Sequence, residues 1–139
     1  MLSADNENET LVLKFFETLS SGDLVRLREL FHEEATWTPM VRGIPGEGVH
    51  RGRAGIVDLF LAPVRAQFRP GDPKVLPDTI ASKGPLVLIE TRGIGRLSDG
   101  RPYENRYAWA VEVREGRIFA VREYMDSLYV ARLFEAKPG

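Results

Sequence analysis

The chain contains no cysteine. Disulfides, thiolate catalysis and thiolate metal sites are therefore excluded. It also has no excess of charge: 19 basic residues stand against 20 acidic ones, for a net charge of −1. With no basic stripe or patch, no nucleic acid is expected as a partner. Histidine is scarce, with only His32 and His50. Two isolated imidazoles do not supply the clustered ligands a metal needs, so no metal and no cofactor is expected. No apolar run approaches the roughly 20 residues of a membrane-spanning helix. The stretch from Met1 to Thr10 is polar and acidic, unlike a secretory signal. No membrane association is expected, and cytoplasmic residence follows by default. The glycine-rich phosphate-binding signatures and the nucleophile elbow of a Ser-His-acid triad are also missing.

What remains is ordinary for a globular protein. Apolar residues make up 43% and charged residues 28% of 139 positions. That length predicts a single domain, 1–139, able to bury a core. Its ends, 1–6 and 136–139, are expected to be disordered and flexible.

Leu11, Phe15, Phe16 and Leu19 recur at helical spacing and predict a helix from about Glu7 to Leu19. Asp5 or Asn6 can cap it, and Gly22 stops it. Asp23 caps a second helix, with Leu24, Leu27, Leu30 and Phe31 on its buried face. Ala35 to Thr38 is a short β-prone stretch ended by Pro39. Met40 to Arg53 is a glycine-rich loop of the sort that closes over sites. A third helix runs from about Arg53 to Gln67, with Pro63 expected to kink or end it.

After Arg69-Pro70-Gly71-Asp72-Pro73 the period becomes strand-like. Strands are predicted over Lys74–Ala81, Leu86–Arg96, Pro102–Arg114 and Arg117–Met125, with an Asp99-Gly100 hairpin turn between the second and third. Ser127 to Phe134 reads as a closing helix. Helices followed by an antiparallel meander indicate the α+β class. Both faces of the strand from Leu86 are apolar. The helices cover one, and a second copy of the chain, a homodimer through the outer sheet face, is the simplest cover for the other.

Alternation sorts the strand side chains. Placing the bulky aromatic sets against the helices puts Glu90, Arg92, Asn105, Tyr107, Trp109 and Glu123 on one concave surface, with Trp37 from the early strand. Ile94 shares the face of Glu90 and Arg92, and Phe119 that of Glu123. Such a surface, aromatic with a few convergent polar groups, has the form of a small-molecule site. Arg92 between two carboxylates would hold them ionised or orient a substrate oxygen. A carboxylate against aromatic rings would have a raised pKa suited to acid–base work. The same residues also read as a cross-strand ion pair that satisfies buried charge. His50, at the mouth of the loop, is either a lid residue or surface.

Two segments then carry a resemblance. Val12-Leu13-Lys14-Phe15-Phe16-Glu17-Thr18-Leu19-Ser20-Ser21-Gly22-Asp23-Leu24, with Leu30 to Trp37 after it, resembles the start of SnoaL-like proteins. These belong to the nuclear transport factor two-like superfamily, along with ketosteroid isomerases and limonene-1,2-epoxide hydrolase. His50-Arg51-Gly52-Arg53 is similar to that family's loop into its third helix, and Gly116 to Asp126 to its last strand.

The resemblance implies a cone-shaped curved antiparallel sheet, a cystatin-like α+β roll, wrapped by N-terminal helices around an apolar pocket and commonly dimeric. Against the epoxide hydrolase set, Arg92 matches the arginine, Glu123 falls at an acid, and Ile94 stands where the other acid belongs. Trp37 and Pro39 stand at the water-holding positions. Against the isomerase set, Phe15 stands at the helical tyrosine, and Thr38 or Pro39 at the base.

The expected partner is thus a small apolar molecule with a polar group. Arg92, Glu123 and Glu90 are the candidate catalytic residues. Trp37, Asn105, Tyr107, Trp109, Phe15, Ile94, Phe119 and His50 are the candidate ligand contacts. An isomerase, cyclase or hydrolase is one expectation, and a non-catalytic binding or accessory protein of the same fold is the other.

Overall fold

The computed structural model describes residues 2–135. The tail expected to be flexible over 136–139, and Met1 of the expected disordered start, lie outside the described residues. Helix α1 (Glu7–Ser21) buries Val12, Phe15, Phe16 and Leu19, the face its periodicity predicts. Asn6 caps it by accepting the Glu9 N–H at 2.9 Å. Gly22 ends it in the left-handed region, at φ 78°. Helix α2 (Leu24–Leu30) follows, with Asp23 accepting the Arg26 N–H as its cap.

Phe31, expected on α2, instead opens strand β1 (Phe31–Pro39). It pairs with Ile118 and packs edge-on against Phe15 at 5.5 Å. Tertiary burial overrides the helical spacing there, and the strand is longer than its β-prone centre.

A loop over 40–49 leads to the two-residue strand β2 (His50–Arg51). Helix α3 then spans 54–66. Its first part, Ala54–Leu61, is π-wound, with the Ala62 N–H bonding the Val57 carbonyl five residues back. Its second part, Ala62–Ala66, is α-helical. Pro63 does not end the helix. Its ring would collide with the carbonyl of Leu59 in a regular α-helix, and the wider winding lies immediately ahead of it.

Four strands complete the sheet: β3 (Lys74–Lys83), β4 (Leu86–Arg96), β5 (Pro102–Arg114) and β6 (Arg117–Met125). Helix α4 (Ser127–Glu135) closes the described chain. The strand order is β2-β1-β6-β5-β4-β3. All neighbours are antiparallel except β1 and β6, which run parallel. The result is an α+β roll: a curved, unclosed six-stranded sheet with α1 and α3 packed into its inner face. Phe15, Phe16, Phe31, Ile56, Val87 and Val111, none of them exposed to solvent, form the centre of the core.

Two register features decide which side chains face inward. The first is the β4–β5 turn. A two-residue Asp99-Gly100 turn would pair Ser98 with Arg101, setting even-numbered positions opposite odd ones. The chain instead makes a five-residue connection, with Arg96 opposite Pro102 and even positions opposite even ones. Glu90 lies opposite Ala108 and Arg92 opposite Arg106, while Thr91 and Gly93 lie opposite Tyr107 and Asn105. One residue of register moves the whole set to the other face.

The second feature is a β-bulge in β6. Glu112 pairs with Ala120 and Val113 with Ile118, leaving Phe119 without a partner. The extra residue turns Phe119 off the inner face, and Ile118 is buried in its place.

Candidate functional site

Every second residue of β5 from Tyr103 onward points into the roll: Tyr103, Asn105, Tyr107 and Trp109. Glu123 joins them from β6, directly opposite Trp109, and Trp37 from β1. Two adjoining hollows, of about 120 and about 90 Å³, share Phe60, Val64, Phe68, Tyr103, Tyr107 and Glu123 in their walls. The outer one opens beneath the loop, against Val41, Ile44, Pro45 and Gly46. The inner one extends to Trp37, Trp109, Leu61, Arg65 and Val75.

Glu123 is the acid of this cavity. Its residue is 9% exposed. Oε1 accepts the Trp37 indole N–H at 2.9 Å. Burial disfavours the carboxylate and pushes its pKa from 4.5 up to about 7; the Trp37 N–H acts in the opposite sense. Among the described residues no ion pair includes Glu123, so desolvation prevails.

Tyr103 and Tyr107 hydrogen-bond to each other through their hydroxyls. Burial raises both phenols, Tyr107 well above its usual value of 10, and the nearby Glu123 charge adds to this. Both are therefore protonated donors at neutral pH. One phenolic proton joins the pair and the other is not used by it. Asn105, 2% exposed, donates from Nδ2 to the Tyr103 hydroxyl at 3.2 Å and accepts the Arg106 N–H at 2.8 Å.

The indoles are also fixed. Trp109 donates to Thr91 Oγ1 at 2.8 Å and stacks on Tyr107 with centroids 5.3 Å apart. Trp37 and Trp109 meet edge to face at 5.6 Å.

The remaining expected site residues are dispersed. Phe15 is fully buried behind Trp37, 6.0 Å between centroids, and belongs to the core rather than the cavity wall. His50 stacks on Phe60 at 4.0 Å, and its Nε2 lies 2.8 Å from the Gly46 carbonyl oxygen. Phe60 and Gly46 both line the outer hollow, so His50 braces the mouth without lining it. Gly46 is itself constrained: at φ 94°, an added Cβ would stand 3.1 Å from Phe60 Cε1.

Glu90, Arg92 and Ile94, expected beside Glu123, lie on the opposite face of the sheet, moved there by the register of β4. Glu90 accepts the Thr79 hydroxyl at 2.7 Å. Arg92 forms a cross-strand ion pair with Asp78 of β3 at 3.0 Å. Ile94 is 37% exposed. Phe119, displaced by the bulge, contacts His32 and carries the Arg114 guanidinium 3.7 Å above its ring.

Tyr103, Phe60, Thr91 and Arg65 were absent from the expected set. Tyr103 carries the signal plainly, being the next alternate position before Asn105. Arg65 carries none, because its helix reads as an apolar face against the core.

Solved structures of the same fold are numerous. An NTF2-like protein from Burkholderia xenovorans LB400 is 28% identical, with 91% of this chain and 94% of that one covered at a TM-score of 0.74. Bal32a, from a soil-derived mobile gene cassette, is 24% identical, with 92% and 95% covered at 0.79. A candidate SnoaL-like polyketide cyclase from Jannaschia sp. CCS1 is 16% identical, with 99% of both chains covered at 0.80. No curated protein matches the chain. The family model of the SnoaL-like domain matches residues 12–121. That span runs from α1 to the strand that bears Glu123, and the chain is therefore a member of the SnoaL-like domain family.

Proposed function

We propose that this chain is an acid–base catalyst, of the isomerase or cyclase type, for a small and largely apolar molecule with a polar oxygen. One observation carries the reading: a buried carboxyl that forms no ion pair among the described residues shares a cavity with a pair of protonated phenols. At pH 7 about half of the molecules hold Glu123 as the carboxylate, the balance a reversible proton carrier needs. Oxygen-binding donors beside it sit in a water-poor wall, where hydrogen bonds to developing charge are strongest.

The chemistry that fits is proton transfer next to a carbonyl. Glu123 takes a proton from the carbon beside the carbonyl. The electron pair of the broken C–H bond moves to the carbonyl oxygen, which accepts the free phenolic proton of the Tyr103–Tyr107 pair as a hydrogen bond. Return of the proton from Glu123 to a different carbon completes an isomerisation. Attack of the enolate carbon on a second carbonyl of the same molecule forms the C–C bond, the π pair of that carbonyl moves to its oxygen, and this oxygen takes the proton back from Glu123 to complete a ring closure. The relative from Jannaschia favours the second outcome as a family precedent. The hydrolase expectation depended on Arg92 beside the acid, and Arg92 faces outward.

The test is conversion of 3-cyclohexenone to 2-cyclohexenone, followed by absorbance. The expected result is acceleration that falls by about a hundredfold or more in Glu123→Gln, the low end of general acid–base effects. Equal rates in the two proteins would overturn the reading. Binding without acceleration would identify a carrier of the same fold.

The outer face is proposed to pair with a second copy of the chain. Leu88 and Tyr124 are 50% and 44% exposed there. With Ala108 and Ala110 they border an open apolar groove of about 340 Å³. Exposed apolar side chains gathered on one face of a sheet are what such pairing uses.

A further inference from the structure

Among the described residues, one buried side-chain polar atom has no hydrogen-bond partner: Nη2 of Arg65. Arg65 sits on α3 and lines the inner hollow, the same one that Glu123, Tyr107 and Tyr103 line. Its other terminal nitrogen, Nη1, donates to the Pro73 carbonyl at 3.3 Å, which fixes the plane of the group. Asp72 is its nearest acidic influence and acts through space. The Asp72 carboxylate is otherwise engaged, accepting the Arg96 N–H at 3.0 Å. Nη2 also lies by the C-terminal end of α1, where a Cβ on Gly22 would stand 3.5 Å from it. The negative end of a helix favours a cation there.

A guanidinium N–H enclosed without an acceptor costs free energy that a satisfied group does not. Such groups are exceptional in native proteins, and an oxygen of a bound molecule would complete this one. An arginine in a cavity lined otherwise by aromatic and aliphatic side chains and the Glu123 carboxyl selects an anionic oxygen, and a planar carboxylate matches its fork best.

We infer that Arg65 is the specificity-determining residue of the cavity, and that the molecule taken there carries a carboxylate as well as the oxygen met by the tyrosines. This rests on the proposed acid–base reading and narrows it. Size narrows it further. The two adjoining cavities, about 120 and about 90 Å³, together exceed the roughly 150 Å³ that encloses a benzene molecule and fall below the roughly 300 Å³ and more that hold drug-sized ligands. The substrate class is a keto acid of one ring or a short chain. It is not a polycyclic molecule.

Benzoate and its neutral isostere benzamide test the assignment by calorimetric titration at pH 7. The wild-type chain is expected to bind benzoate at least about tenfold more tightly than benzamide, the discrimination of one hydrogen bond to a charged group. Arg65→Met should remove that preference, and Arg65→Lys should restore part of it. Glu123→Gln should bind benzoate as tightly as the wild type or more so, because a negative neighbour is gone. Equal affinity of the wild type for the two probes, or an undiminished preference in Arg65→Met, would overturn the inference. The comparison of probes on the wild type needs no variant to fold. The Glu123 reading is decided separately, by the cyclohexenone rate, so the failure of one is told apart from the failure of the other.

Discussion

The indole N–H of Trp37 meets the Glu123 carboxyl at 2.9 Å, joining β1 to β6 across 86 residues of chain. Among the described residues it is the one hydrogen bond that holds the Glu123 carboxyl toward its ionised form, and burial outweighs it.

That imbalance makes stability depend on pH in a definite direction. The unfolded chain releases the Glu123 proton near 4.5 and the folded chain near 7. The folded state therefore holds a proton that the unfolded state has lost between these values. The stability Glu123 contributes is complete below about 4.5 and declines as pH rises to about 7, by about 3 kcal/mol in all. Glu123→Gln cannot titrate. Urea unfolding of both proteins from pH 4.5 to 7.5 should show the variant gaining on the wild type by about that amount. A constant difference across this range would show that the carboxyl is not held protonated.

Trp37→Phe removes the donor and leaves the ring. With nothing opposing desolvation, the Glu123 pKa should climb above 7. The acid limb of the pH–rate profile, or the titration of the Glu123 carboxyl carbon followed by NMR, should move to higher pH. The variant should also lose about 1–2 kcal/mol of stability, for a hydrogen bond and part of a ring. An unmoved titration would mean that Trp37 does not govern the acid.

Gly93 lies on the inner face opposite Asn105. A Cβ added there would stand 2.8 Å from Tyr107 Cε1. The Tyr107 ring is stacked on Trp109 and cannot swing aside freely. Gly93→Ala should cost about 1–3 kcal/mol by overpacking. It should also lower turnover by displacing the phenol pair, with the carboxylate pKa little changed. Crystallography of the variant would show the displaced ring. Full activity in a folded variant would remove Tyr107 from the proposed mechanism.

The proposed pairing of two copies through the outer sheet face is tested at Leu88, half exposed beside Tyr124. Leu88→Glu places a charge in the centre of the expected contact. Sedimentation velocity should show a dimer for the wild type and a monomer for the variant, with the circular dichroism of the two alike. A wild-type monomer at micromolar concentration would overturn the pairing.

The elements of this fold were legible because each has its own period. The spacing of Phe15, Phe16 and Leu19 predicts α1, and alternation predicts β4, β5 and β6 within a residue or two. The inward set of β5 was equally legible, since Asn105, Tyr107 and Trp109 alternate on one strand. The relation between strands was not. Whether Arg92 stands beside Glu123 or behind it depends on the parity of one connection. An Asp-Gly pair suggests the short turn, while the chain makes the longer one. Phe119 was misplaced by a bulge for the same reason, as a local insertion leaves no trace in alternation. Arg65 was hidden differently: its significance is a missing acceptor, and a missing partner exists only in three dimensions.

The parallel contact between β1 and β6 also has a consequence for how the protein comes into being. During synthesis Trp37 emerges long before Glu123, and everything between them belongs to other elements. Until β6 has left the ribosome, β1 has only the two-residue β2 as a neighbour and a large indole without its acceptor. Contacts of such separation are slow to form and leave apolar strands open to other chains. The cavity is thus among the last parts of the molecule to exist. A nascent chain halted before residue 117 would hold helices α1 to α3 and five of the six strands, yet not the carboxyl of the cavity.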